Sequence, residues 1–96
     1  MSRFLIERRL RDNSARLKRA REELAILDEQ LAVFAEAADD ARLRALVSET
    51  PLAEREYDEA QKHADAMAKS RAALLSTIDD LQRAQDELLD RLVPGA

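Results

Sequence analysis

The sequence predicts an all-α fold, an antiparallel two-helix coiled-coil hairpin. Three observations predict it. Apolar residues recur at heptad spacing along nearly the whole chain. One turn signal, Ser48-Glu49-Thr50-Pro51, falls at the midpoint. The composition is 46% hydrophobic and 38% charged but only 3% aromatic, with one Gly and two Pro. That mix, rich in Ala, Leu, Glu, Asp and Arg, suits helix better than sheet or disorder. A chain of 96 residues allows one small domain, so 1–96 is read as a single hairpin domain. The expected elements are a helix over about 2–47, a turn at about 48–51 and a helix over about 51–93.

In the first helix, Leu10, Leu17, Leu24, Leu31, Ala38 and Ala45 form one heptad row. Ile6, Asn13, Ala20, Leu27, Phe34 and Ala41 form the other. No Gly or Pro interrupts residues 2–47, and strong helix formers dominate. Glu7/Arg11 and Asp12/Arg16 place acid before base at i, i+4, the favourable order. A helix of this length, roughly 65–70 Å at about 1.5 Å per residue, cannot bury itself and needs a partner.

Thr50 is a good N-cap, and Pro51 then occupies the first helical position, where a missing N–H costs nothing. Proline also disfavours helical geometry at Thr50, so the chain breaks here. In the second helix, Ala53, Ala60, Met67, Leu74, Leu81 and Leu88 form one row. Tyr57, Ala64, Arg71, Ile78, Gln85 and Leu92 form the other. Asp58/Lys62, Asp65/Lys69, Asp79/Arg83 and Glu87/Arg91 repeat the acid-before-base order. Pro94-Gly95-Ala96 is expected to stop the helix.

Pairing the helices antiparallel about Glu49 makes facing residues sum to about 98. The apolar seam obeys this: Leu10 with Leu88, Leu17 with Leu81, Ala20 with Ile78, Leu24 with Leu74 and Phe34 with Ala64. The polar interruptions obey it too. Asn13 and Gln85 fall opposite one another, and two amides can satisfy each other where Leu could not. This pair is therefore expected to set the register. Arg71 lies opposite Leu27, and its stem can pack while the guanidinium reaches Asp28 or Glu23. Arg42 is expected near Glu54, and Arg44 near Glu56. Near the turn the seam is mostly Ala, which buries little apolar area, so that half is expected to be the weaker one.

Charge is unevenly distributed. Net charge is −4, yet residues 1–21 hold eight bases against two acids and carry +6. The acidic end of the second helix, with Asp79, Asp80, Asp86, Glu87 and Asp90, lies alongside in the antiparallel register. Arg8, Arg11, Lys18 and Arg19 sit on outward heptad positions and are candidate anion-binding residues. No aromatic residues interleave among them to stack bases.

Apolar residues off the seam are the candidate interaction surface. Leu5, Ile26, Val33 and Val47 share an outer row of the first helix, and Leu75 and Leu89 share one on the second with Ala68. A lone two-helix hairpin has a thin core. These rows point to self-association, as a homodimer or four-helix bundle, or to another protein partner.

Chemistry-bearing motifs are absent from this reading. His63 is the sole histidine, and Glu59 four residues earlier does not complete a metal site, so no metal is expected. Asp39-Asp40 and Asp79-Asp80 read as solvated acids. Ser48, Ser70, Ser76 and Thr77 lack the His-plus-acid setting of a nucleophile. The single Gly allows no phosphate-cradling loop. No catalytic residue, cofactor or small-molecule substrate is expected.

Cysteine is absent, which fits a reducing compartment. The run Phe4-Leu5-Ile6 is too short for a signal core or membrane span, so stable membrane insertion is not expected. The expected location is cytoplasmic, and the Arg- and Ala-rich usage suggests a bacterial small protein. In shape alone, the predicted hairpin resembles the coiled-coil arms that enter the RNA polymerase secondary channel. Such arms carry acids at the tip. Here the turn offers Glu49, with Asp39 and Asp40 set back. The functional expectation is a non-enzymatic interaction, scaffold or oligomerisation module. The alternative is a nucleic-acid- or polymerase-associated regulatory factor using the basic helix or the tip.

Overall fold

The computed structural model describes residues 2–93 and contains two α-helices, α1 (Arg3–Ser48) and α2 (Pro51–Leu92), folded into a hairpin. Both bounds of the turn lie within one residue of expectation, since Ser48 stays helical and α2 starts at Pro51; α2 ends one residue early, with Val93 in a bend. The expected stop at Pro94-Gly95-Ala96 lies outside the described residues.

Each helix starts on a hydroxyl. The Ser2 Oγ accepts the Leu5 N–H at 3.2 Å, and the Thr50 Oγ1 accepts the Ala53 N–H at 3.2 Å. Each thus satisfies a donor that the helix start would leave unpaired. Helix α1 ends through Glu49, whose φ of 50° is left-handed. Its N–H donates to the Ala45 carbonyl at 3.1 Å, closing the last turn. Glycine is the usual residue in this conformation, because a Cβ there costs about 1–2 kcal/mol.

All seam positions named above, Ile6 to Ala45 and Ala53 to Leu92, are buried or half-buried. Off the seam, only Glu7, Gln61 and Ala84 among the described residues are also covered. Contacts between the helices gather in two units, residues 2–24 with 73–93 and residues 25–72.

In the first unit, Leu17, Ala20, Ile78 and Leu81 are buried together, with Leu24 and Leu74 packed against them. Asn13 is buried as well, and its Nδ2 donates both to Gln85 Oε1 and to the Leu81 carbonyl, each at 2.8 Å. In the second unit the most deeply buried residues are Ala38 and Ala41, each 3% exposed, with Ala53 and Ala64. Small side chains let the backbones approach, but each buries about one methyl group. That is worth about 0.8 kcal/mol, against about 1.5–3 for a buried Leu or Ile. The apolar term is therefore larger in the first unit. Arg71 is half-buried in the second, and its Nε donates to Asp28 Oδ1 at 2.5 Å. Phe34 stacks on His63, with ring centres 5.7 Å apart and planes at 22°.

Of the six helical acid-before-base pairs, Asp79–Arg83 closes, at 2.9 Å. Glu7 pairs instead with Arg3, at 3.3 Å and in the reverse order. The other five expected pairs do not close among the described residues. Exposed pairs gain only a few tenths of a kcal/mol, about what fixing two long side chains costs. Arg42 and Glu54 border one hollow beside Tyr57 without forming an ion pair. Among the described residues of the first unit, no ion pair bridges the two helices either.

Candidate interaction surfaces

The outer apolar residues are all exposed. In the second unit, Ile26 is 58% exposed, Val33 66% and Val47 85%. Ile26 and Val33 lie one heptad apart on α1, on one face with Glu29, Glu36 and Asp40, because spacings of three and four residues share a helical face. All five are exposed. In the first unit, Leu75 and Leu89 lie on one row of α2, and Leu5 is on the first turn of α1; each is exposed, though less so.

Three exposed leucines near the turn lie outside the surface predicted from the sequence. Leu43, Leu46 and Leu52 join Val47 around the turn, all more than 60% exposed. Leu43, Leu46 and Val47 have i, i+3, i+4 spacing, so the face could have been read from the heptad.

Arg8, Arg11, Lys18 and Arg19 are exposed, and none of them makes an ion pair among the described residues. Two shallow hollows open between the helices of this unit. One is bordered by Arg16, Arg19, Ala20, Leu74 and Leu81, together with Glu23 and Thr77. The other is bordered by Arg9, Asp12, Asn13, Arg16 and Leu88. Arg9 and Arg16 therefore belong with the basic residues.

At the turn, Glu49 is exposed, while Asp39 and Asp40 lie on α1, with Asp40 nine residues, or about two and a half helical turns, before Glu49. His63 is exposed and lines a hollow with Phe34, Lys62, Ala66 and Met67. Among the described residues, no group of three or more His, Cys, Asp or Glu is placed to hold a metal ion. Among the described residues, no helix is long and apolar enough to cross a membrane. No family model, curated protein or solved structure matches the chain.

Proposed function

We propose that this chain is a non-enzymatic coiled-coil module that works by protein–protein association, with a second copy of itself as partner. The supporting observation is the exposure of Ile26 and Val33, one heptad apart, in a hairpin where none of the described residues is less than 2% exposed. An isolated pair of helices leaves this apolar face wet, and a partner removes it from water. No side chain is assigned a catalytic role.

Light scattering tests this reading. The wild-type mass is expected at a multiple of the 10.9 kDa chain, and Ile26→Asp with Val33→Asp is expected to return it to 10.9 kDa. A wild-type mass of 10.9 kDa at the highest soluble concentration overturns the reading.

A second reading is supported by the four exposed, unbridged bases Arg8, Arg11, Lys18 and Arg19. Such side chains can release counterions from phosphates, so the module would be a nucleic-acid-associated factor. The lack of interleaved aromatic residues weighs against it.

A further inference from the structure

The two charged faces of this chain suit each other better than either suits itself. Residues 25–40 contain five acids and no base, and Glu29, Glu36 and Asp40 flank the exposed Ile26 and Val33. Pairing that face with its own copy would set carboxylates beside carboxylates, which opposes association. Residues 2–24 hold eight bases and four acids, and three bases, Arg9, Arg16 and Arg19, outnumber two acids, Asp12 and Glu23, around the two hollows of the first unit. Apolar side chains line both hollows, Ala20, Leu74 and Leu81 in one and Leu88, beside the buried Asn13, in the other.

The spacings agree as well. Ile26 and Val33 are seven residues apart, as are Leu81, which lines one hollow, and Leu88, which lines the other. Seven residues advance a helix by about 10.5 Å. Two apolar knobs one heptad apart therefore match two hollows one heptad apart.

We infer that the acidic face of residues 26–40 in one copy docks onto the groove lined by Arg9, Arg16 and Arg19 in a second copy. The inference rests on the self-association proposed above and specifies which surfaces meet. Ile26 and Val33 fill the hollows, and Glu29, Glu36 and Asp40 meet the guanidiniums. The Coulombic part of the attraction weakens as salt shortens the screening length.

Two charge-reversed proteins test the pairing. One carries Arg9→Glu, Arg16→Glu and Arg19→Glu, and the other carries Glu29→Arg, Glu36→Arg and Asp40→Arg. Each alone sets like charges together and is expected to scatter as a 10.9 kDa monomer, with helical circular dichroism retained. Mixed in equal amounts, they restore opposite charges at both kinds of contact, and the wild-type mass is expected to return. Wild-type mass in either reversed protein alone overturns the pairing. So does a mixture of the two folded proteins that stays monomeric. In both cases association through Ile26 and Val33 stands if Ile26→Asp with Val33→Asp still dissociates the wild type, which separates the two failures.

Discussion

Asn13 gives both hydrogens of its amide across the seam, one to Gln85 Oε1 and one to the Leu81 carbonyl, each at 2.8 Å. Asn13 is 8% exposed, whereas Gln85 is half-buried and can reach water. The two partners are therefore not equivalent. Gln85→Leu removes one of two acceptors from a buried amide and is expected to cost about 1–2 kcal/mol. Asn13→Leu with Gln85→Leu replaces the polar pair by an apolar one and should match or exceed wild-type stability. Urea midpoints at fixed protein concentration measure both. A double variant as unstable as the sum of the singles would show that the amides do not act as a pair.

Arg71 occupies a seam position, but its side chain and that of Asp28 are 39% and 47% exposed. Solvent screens such a pair, so Asp28→Ala is expected to cost no more than about 1 kcal/mol. Arg71→Leu should instead raise the urea midpoint, because a seam leucine buries more apolar area opposite Leu27. A lower midpoint for Arg71→Leu would mean the ion pair outweighs that burial.

Glu49 bears a left-handed backbone where glycine is usual. Glu49→Gly is expected to raise stability by about 0.5–1 kcal/mol, since relief of the Cβ clash exceeds the added entropy of the unfolded chain. Glu49→Val should lower it, a β-branched residue being worse there. Thermal melts of the three proteins would rank Gly above Glu above Val. Any other order rejects strain as the controlling term.

Labelled RNA and duplex DNA distinguish the two functional readings. Association of the chain with itself predicts no retardation of either in a low-salt gel. A salt-sensitive shift that Arg8→Ala, Arg11→Ala, Lys18→Ala and Arg19→Ala together remove would move the function to nucleic acid.

The seam was legible because heptad periodicity is a property of the helix itself. Leu17, Ile78 and Leu81 must share a face with their row whatever surrounds them. The turn was legible for a similar reason: Thr50 and Pro51 act on backbone groups within a few residues. The exposed ion pairs were not. Glu7 lies within reach of both Arg3 and Arg11, and a few tenths of a kcal/mol separate the choices. The left-handed Glu49 escaped because nothing in glutamate signals that conformation. It is imposed by closing two long helices through two residues.

The sequence by itself determined two helices, their antiparallel register and the residues that line the seam. These follow from periodicity and from local capping chemistry. Tertiary structure decided how deeply each seam residue is buried, since Ala38 and Ala41 end up better covered than Leu24 or Leu31. It also decided that Asn13 is shared between Gln85 and Leu81, and that Ile26, Val33, Leu43, Leu46 and Val47 remain in water. Depth of burial depends on how closely the helix axes approach, and that distance is set by side chains on both helices together.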